Sequence, residues 1–332
     1  MAAVSPTARY AISRVGQALV TILIVYVLVF VIVTLLPGDP VSGRLSNPEY
    51  GYSQAEIDEM LVYFKLDQPA WQQLLTALER LLHGDLGLSY ASNIPVTTLL
   101  WSGVPSTLQL AGTAFVFAVV LAAAIAVGAF FLPARFGGGV LRAFPSLFLS
   151  LPNFLIGLVV INVFSFQLGW FVLSDFRSAD ALIYPAVTLA IPASAPIAQV
   201  FISALDTARA EQYSTVAISK GIGRVGLLTR HLLPNAALPT LTITAIIVGD
   251  LLGGSIITEA IFGRTGVGTV VEKAVSEQDV PVLQAAVVLA AALFLIINLI
   301  VDLVYPALDP RLRGARGSIT VTPAQYAKQR EG

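Results

Sequence analysis

The sequence predicts an all-helical integral membrane protein with six transmembrane helices. Of its 332 residues, 56% are hydrophobic and only 12% are charged, whereas soluble domains carry about 25% charged residues. Six segments supply the roughly 20 apolar residues that a helix needs to cross a hydrocarbon core of about 30 Å. A net charge of -1, without basic clusters next to aromatic residues, argues against a nucleic-acid partner.

The predicted spans are separated by more polar connections. The first is a charge-free run that is longer than a signal-peptide core and has no A-x-A site behind it, which favours a membrane anchor over a cleaved leader. The spans are 15–36, 108–132, 143–168, 184–205, 239–258 and 282–306.

The distribution of basic residues predicts the orientation. Most of the 19 lysines and arginines lie in the termini and after the second and fourth spans, and basic residues favour the cytoplasmic side. We therefore expect a cytoplasmic N-terminus with the first helix (1–36), an extracytoplasmic insert (37–105), a transmembrane core (106–313) with a cytoplasmic loop (207–238), and a cytoplasmic tail (314–332). The polar tail is expected to be disordered.

The extracytoplasmic insert contains a helix-like stretch, QPAWQQLLTALERLLHG, at 68–84. Its apolar residues recur at i, i+3, i+4 and i+7 spacing, which is typical of an amphipathic helix. We expect this helix to pack as a small cap on the outer face of the protein.

The residue types exclude several kinds of chemistry. The chain has no cysteine, so disulfides, thiolate chemistry and Cys-ligated metals are excluded. With His83 and His231 as the two histidines, an imidazole metal cluster is not expected. Because no Gly-Lys dipeptide occurs, the chain lacks a Walker A phosphate loop. We therefore expect no catalysis and no cofactor in this chain, and any ATP-driven work must come from a partner.

Prolines inside the predicted spans point to the protein interior. The third span holds Pro145 and Pro152 beside Asn153, and the fourth span holds three further prolines. Proline frees backbone carbonyls inside a helix, and lipid tolerates this only where other helices or a watery cavity satisfy the freed groups. A translocation pathway and simple packing kinks are equal alternatives for these spans.

Three acidic residues lie in or near the last two spans. A charge inside the bilayer costs about 2.5 to 3.5 kcal/mol even on lenient scales, so it is a functional candidate. Asp250 either lines a pathway, where it would meet a substrate amino group, or is a structural aspartate between helices. Asp302 is expected to pair with Arg311 or Arg313. Glu259 is expected at a solvated helix end, with a gate or docking surface as the alternative.

A basic, glycine-bearing segment interrupts the apolar chain between the fourth and fifth spans. It reads EQYSTVAISKGIGRVGLLTRHLLPN at 211–235. Tyr213, Val216 and Ala217 are predicted to share one face of a short helix, after which glycines loosen the chain. Such a helix either sits in a cleft of a cytoplasmic partner or lies on anionic lipid, with Lys220 near the headgroups. The residues alone leave both interpretations open.

This segment resembles the EAA loop of bacterial ABC importer permeases, written EAA, three residues, Gly, nine residues, Ile, any residue, Leu-Pro. Matching positions are Ala217, Gly221, Leu233 and Pro234, and the departures are Thr215, Val216 and His231. Further family motifs are LLPGDP at 35–40, LDQP at 66–69, GDLGLS at 84–89 and NLIVDLVYPALDPRLR at 298–313. The family's PG-x-G after the fifth span corresponds here to TGVG at 265–268.

Together the motifs resemble the B-type permease subunit of bacterial oligopeptide and dipeptide importers, a group that includes nickel and glutathione systems. The resemblance covers residues 9–313. It implies a type I importer fold in the bacterial inner membrane, with a small helical insert after the first helix. Such a subunit forms half of the pathway for short peptides, while nickel, glutathione or another small solute remain alternative substrates.

The resemblance also implies partners. These are a second homologous permease, two cytoplasmic ATPases that bind ATP and Mg, and an extracytoplasmic substrate-binding protein. The basic segment would be the coupling helix, seated in a groove of an ATPase and driven by ATP-dependent closure. The expected coupling residues are Tyr213, Ala217, Ser219, Lys220 and Gly221, with Leu233 and Pro234 returning the chain to the membrane. The expected pathway residues are Asp250, Glu259 and Asn153.

Two other classes of protein are weighed against the importer. A secondary transporter would show inverted repeats and helices broken at the midplane, which the sequence does not display. An intramembrane aspartyl protease would need two aspartates about 3 Å apart. Asp250 is predicted about 20 Å from the inner end of its span at 1.5 Å per residue, whereas Asp302 lies near the inner end of the next one. This mismatch in depth disfavours the protease.

Overall fold

The computed structural model describes residues 6–35, 53, 55, 68–173, 180–277 and 279–308. The described part of the chain is helical, with one isolated antiparallel bridge between Leu88 and Pro95. Its helices are α1 Pro6–Leu35, α2 Ala70–Leu82, α3 Val96–Phe131, α4 Gly138–Leu149, α5 Asn153–Val160, α6 Asp180–Ala210, α7 Gln212–Ser219, α8 Arg224–Leu227, α9 Leu233–Phe262, α10 Val267–Ser276 and α11 Val280–Leu308. The helix α5 continues as a π-helical segment, Ile161–Gln167, and α8 continues as another, Leu228–Leu232.

Among the described residues, five helices are long and apolar enough to cross a membrane, and there are six if α4 and the α5 segment form one bent span. The unbent candidates include α1, α3, α6, α9 and α11. The prediction of a six-span helical membrane protein therefore agrees with the upper count.

The third predicted span is not one continuous helix. The helix α4 and the segment Asn153–Gln167 are bent by 109° against each other. Pro152 stands directly before α5 with an extended backbone, φ -62° and ψ 139°, and it has no N–H to donate to the preceding turn. Pro145 is accommodated inside α4. Of the two prolines noted in the sequence, Pro152 therefore marks the break.

The second span starts earlier than its apolar pattern predicts. The helix α3 begins at Val96 and contains Pro105, so the last part of the predicted insert, from residue 96, is helical. The first turns of α3 are stabilised by contacts with another helix, because Val96 and Leu100 are buried in one apolar cluster with Val267 of α10. Tertiary contacts thus extend the helix beyond the stretch that hydropathy alone would select.

The core of the molecule lies between α3, α6 and α9. Buried alanines recur every four residues along α3, at Ala114, Ala118, Ala122 and Ala126. Small residues at this spacing form a strip that lets another helix approach closely. The partner is α6, which packs along α3 and contributes large buried side chains such as Leu205.

The helix predicted in the insert exists, but it does not form a packed cap. The helix α2 packs on α1, yet it has no buried residue. The apolar residues Trp71, Leu75 and Leu82 are exposed. The expected cap is therefore corrected to a peripheral amphipathic helix whose apolar face is open.

Two expectations concern residues outside the described part of the chain. They are the disorder of the tail 314–332 and the pairing of Asp302 with Arg311 or Arg313. The helix α11 includes position 302, but the placement of that side chain is not described.

Candidate coupling and translocation sites

The basic segment forms a short helix that rests on the rest of the chain through two small residues. The chain leaves α6 through an extended Glu211, φ -68° and ψ 150°, and turns into α7. The hydroxyl of Ser214 donates a hydrogen bond of 2.7 Å to the carbonyl of Ala208. Ser214 and Ala217, three residues apart on the inner face of α7, are both buried. Small side chains at these positions let α7 lie close to the end of α6.

The helix α7 ends at a glycine in the left-handed conformation. Gly221 has φ +80°, and the N–H of Ile222 donates to the carbonyl of Ala217 at 3.2 Å. A glycine in this position is a common helix terminator because a Cβ disfavours positive φ. A Cβ at Gly221 would meet nothing within 4 Å. Its role within this chain is therefore conformational.

The opposite side of α7 and the following turn present apolar and basic side chains together. Exposed apolar residues here are Val216, Ile218 and Val225. Exposed polar and basic residues are Ser219, Lys220 and Arg224. We call these six residues the coupling surface. Clustered exposed apolar side chains with a charged rim are typical of protein contact sites.

The structure brings some of the predicted coupling residues to this surface and not others. Ser219, Lys220 and Gly221 are exposed, and Tyr213 is partly exposed. Ala217 is buried within the chain, so it does not share a face with Val216 as the sequence suggested. Successive residues on a helix point about 100° apart, and both side chains are apolar. Periodicity therefore could not show which of the two faces inward.

Tyr213, Leu233 and Pro234 join the coupling segment to α9. The side-chain amide of Asn235 donates to the Tyr213 hydroxyl at 3.2 Å and to the His231 carbonyl at 2.8 Å. Leu233 is the first residue of α9, and Pro234 follows it in the first turn, where a missing N–H does not break a helical hydrogen bond. The start of α7 is thereby fastened to the start of α9.

A cavity lined by both apolar and polar side chains adjoins the coupling segment. It has a volume of about 620 Å³ and lies between the end of α6, the start of α7 and the start of α9. Gln199, Ser203 and Thr207 line it at four-residue spacing along α6, together with Glu211 and Asn235. This spacing is a sequence signal that the sequence analysis missed. The cavity wall includes Tyr213, so a displacement of α7 would change the shape of the cavity.

Two of the predicted pathway residues line a second cavity deeper in the bundle. Asn153 and Asp250 both face a cavity of about 200 Å³, together with Pro192 and Pro196 of α6. Asp250 is exposed in this chain. Residues from three different spans therefore meet here, as expected for groups that face a common interior space.

Glu259 does not lie with Asn153 and Asp250, and its predicted position at a solvated helix end is wrong. Its side chain is 0% exposed, and its carboxylate accepts a hydrogen bond of 2.7 Å from the N–H of Gly268. A Cβ at Gly266 would stand 2.3 Å from this carboxylate. The turn that contains TGVG therefore folds over Glu259 and removes it from solvent.

The same turn is fastened to two more helices. The hydroxyl of Thr107 on α3 accepts a hydrogen bond of 3.0 Å from the N–H of Val267. The Arg264 guanidinium donates to the carbonyl of Ala181 on α6 at 2.8 Å and to the side chain of Gln109 on α3 at 3.0 Å. We call Glu259, Thr107, Arg264 and the two glycines Gly266 and Gly268 the clasp. It joins α3, α6, α9 and α10 at one end of the bundle.

A further buried carboxylate was missed by sequence reasoning. Asp279, at the start of α11, accepts hydrogen bonds from the Ser89 hydroxyl at 2.5 Å and from the N–H groups of Tyr90 and Ala91 at 3.2 Å. These bonds hold the loop after α2 against α11. Its partners are about 190 positions away in sequence, so no local pattern could have revealed it.

The chain resembles known transport proteins over most of its length. Residues 118–314 match the family described as binding-protein-dependent transport system inner membrane component. Over 306 residues the chain is 33% identical to the glutathione transport system permease protein GsiC of Escherichia coli K12, covering 92% of this chain and 99% of GsiC. GsiC of Salmonella choleraesuis matches with the same identity and coverage.

Two solved structures match part of this chain at low sequence identity. One is an amino acid ABC transporter with histidines, which is 19% identical with a TM-score of 0.49 and covers 65% of this chain and 94% of its own. The other is the methionine ABC transporter MetNI in an inward-facing form, also 19% identical with a TM-score of 0.49, covering 64% and 97%.

The family match covers more than half of the chain, and the curated relatives extend over nearly all of it. The prediction of an all-helical type I importer permease is therefore confirmed. Such a subunit is non-catalytic, and membership implies ATPase, substrate-binding and second permease partners. This multi-pass membrane chain belongs to the family of binding-protein-dependent transport system inner membrane components and is a permease subunit of an ABC importer.

Proposed function

We propose that this subunit forms half of a translocation pathway for short peptides, with glutathione-sized peptides as the preferred candidates. The observation that carries the proposal is the 33% identity to a glutathione permease over 99% of that relative's length. Glutathione is itself a short peptide, so both the main hypothesis and its first alternative point to a small substrate with amide and charged groups.

The second half of the pathway would come from the homologous permease. Asp250 lies on a face of α9 that also exposes Ile246 and Ile257, because these positions are four and seven residues from it. An exposed carboxylate on an apolar face is costly in lipid. A second permease packed over this face would enclose Asp250 and Asn153 in a shared passage, with Asp250 meeting the substrate amino group.

Uptake into proteoliposomes that contain the complete importer tests the substrate. We expect ATP-dependent uptake of labelled glutathione or of di- and tripeptides. Uptake of nickel without uptake of any peptide would overturn the peptide assignment. An Asp250→Asn variant should lower uptake of peptides with a free amino terminus more than uptake of N-acetylated peptides. Leu241→Ala, on the opposite face of α9, is the control.

We further propose that the coupling surface binds an ATPase subunit, which would bind ATP and Mg, and that this chain binds no cofactor itself. The mixed apolar and basic character of Val216, Ile218 and Lys220 supports a protein contact. The cavity beside α7 supports a mechanical link between the coupling surface and the interior of the bundle, because Tyr213 belongs to both the cavity wall and the coupling helix.

The proposed orientation places both chain termini and the coupling surface in the cytoplasm, and α2 outside. It is supported by the excess of basic residues on the proposed inner side. Because the chain has no native cysteine, Lys220→Cys and Asp85→Cys variants can be labelled individually, and Asp85 is exposed in the loop after α2. A membrane-impermeant maleimide applied to intact spheroplasts should label position 85 and spare position 220. The reverse pattern would overturn the orientation.

A further inference from the structure

The helix α2 has an apolar face that the rest of this chain leaves open. Trp71, Leu75, Leu78 and Leu82 follow one another at four-, three- and four-residue spacing, which places them on one face of the helix. Trp71 is 61% exposed, Leu75 58% and Leu82 87%. A large exposed apolar face of this kind indicates a site that contacts another protein or a membrane.

All three tryptophans of the chain have the same kind of environment. The sequence contains three tryptophans. Besides Trp71, these are Trp101, which is 63% exposed, and Trp170, which is 60% exposed. Trp101 lies near the start of α3, and Trp170 follows the π-helical end of the α5 segment. Tryptophan is enriched where a membrane meets water, since its ring is apolar and its N–H seeks a polar partner.

Trp101 and Trp170 lie at the same end of the bundle. Phe171, next to Trp170, stacks on Tyr184 at the start of α6, with ring centroids 4.1 Å apart. It also faces Phe262 at the end of α9, with centroids 6.3 Å apart. The end of α9 leads into the clasp, whose Val267 bonds Thr107 near the start of α3. The two tryptophans therefore mark one membrane face.

The position of α2 relative to α1 places it at that same face. The helix α2 packs on α1, and Leu86, four residues after α2, packs against the apolar cluster of Val96 and Leu100 at the start of α3. Trp101 follows Leu100 directly. The helix α2 thus lies beside a membrane span, at the end of the bundle that carries Trp101.

We propose that α2 is an interfacial helix whose Trp71, Leu75, Leu78 and Leu82 face is inserted among the lipid headgroups and upper acyl chains of the membrane. Its occupant is lipid, because the exposed apolar surface of the neighbouring α1, including Leu23 and Ile24, is continuous with a bilayer. Amphipathic helices with tryptophan and leucine on one side bind membrane interfaces in this way. Glu79, four residues after Leu75 and three before Leu82, lies at the edge of this face, where its carboxylate would reach the headgroups.

The position of α2 also argues against a soluble protein as its occupant. The helix α1, on which α2 packs, packs in turn on α11. The cavity attributed to translocation lies instead among α4, α5, α6 and α9. A substrate-binding protein that delivers its cargo to those helices would have its main contacts elsewhere. The hydrogen bonds of Asp279 to the loop after α2 hold the helix near the membrane face.

Site-directed spin labelling tests the proposal on the complete importer in nanodiscs of phosphatidylethanolamine and phosphatidylglycerol. Labels are placed at Leu75→Cys and Leu82→Cys, with the other subunits freed of reactive cysteine. Asp85→Cys, exposed in the loop after α2, is the aqueous reference. Val120→Cys, 62% exposed in the apolar middle of α3, is the lipid reference. The probes are dissolved oxygen, which concentrates in lipid, and a water-soluble nickel chelate.

We expect the ratio of oxygen to nickel collisions at positions 75 and 82 to exceed that at 85 several-fold and to approach that at 120. A ratio equal to that at position 85 would show that the face is in water and would overturn the proposal. Exclusion of both probes from positions 75 and 82 would show that protein covers the face and would also overturn it. All four positions are exposed surface sites, so the labelled variants should fold.

Discussion

Glycines and charged groups are buried at one end of the bundle and exposed at the other. In the clasp, Glu259 is fully buried and Gly266 and Gly268 pack directly against neighbouring atoms. In the coupling segment, Gly221 and Gly223 have open space around them, and Lys220 is exposed. The clasp is enclosed by the chain itself, whereas the side chains of the coupling segment remain exposed in this chain.

The comparison explains why similar residues have different roles. A glycine in the clasp is required because no side chain fits, and Gly221 is required because of its backbone angle. Four substitutions test this difference between the clasp and the coupling segment. They are given from the largest expected loss of stability in this chain to the smallest.

Gly268→Ala should have the largest effect. Its Cβ would stand 2.2 Å from the carbonyl oxygen of Ile256, and overpacking of this kind costs about 3 kcal/mol. We expect a large fall in the thermal midpoint of the purified subunit. Gly253→Ala on α9 is the control, because a Cβ there meets nothing within 4 Å. Equal melting of the two variants would contradict the steric account of the clasp.

Glu259→Ala should come second. It leaves the N–H of Gly268 without its acceptor inside the protein, which costs about 1 to 3 kcal/mol. Glu259→Gln keeps an acceptor oxygen of similar reach and should retain most of the stability in the same melting experiment. If both variants melt like the unchanged protein, the clasp does not depend on this hydrogen bond.

Gly221→Ala should have a smaller effect of about 1 kcal/mol, from the positive φ alone. Gly223→Ala is the matched control, since Gly223 has φ -68° and open space for a Cβ. A Gly221 variant that melts like the Gly223 variant would show that the left-handed turn is not required. This pair also shows whether any transport defect of Gly221 variants comes from the backbone or from a lost partner contact.

Val216→Asp should change the stability of the isolated subunit least, by no more than about 0.5 kcal/mol, because the side chain is exposed. It should nevertheless greatly reduce co-purification of the ATPase subunits and stop transport. Val140→Asp, exposed on α4 away from α7, is the control. Full co-purification with the Val216 variant would contradict the proposed coupling surface.

The fold was largely predictable because membrane helices are marked by local hydropathy. Long apolar runs located the spans, and the cavity shared by Asn153 and Asp250 joins two residues that the sequence had singled out as polar groups within spans. The helical bend needed more information: both Pro145 and Pro152 were visible, but their surroundings decided which of them ends a helix.

The predictions that failed concern groups whose environment is set by distant residues. Glu259 was predicted at a solvated helix end because it follows directly after the predicted fifth span, 239–258. It is buried because the turn at Gly266 and Gly268 folds back over it. Ala217 and Val216 are both apolar neighbours, so only the packing of α7 on α6 shows which of them faces inward.

The helix α6 connects the coupling segment to the clasp. Its 31 residues span about 46 Å at 1.5 Å per residue. The carbonyl of Ala208 near one end holds the coupling helix through Ser214, and the carbonyl of Ala181 at the other end holds Arg264 of the clasp. One continuous helix thus contacts both the coupling segment and the clasp, and its three prolines lie between these two contacts.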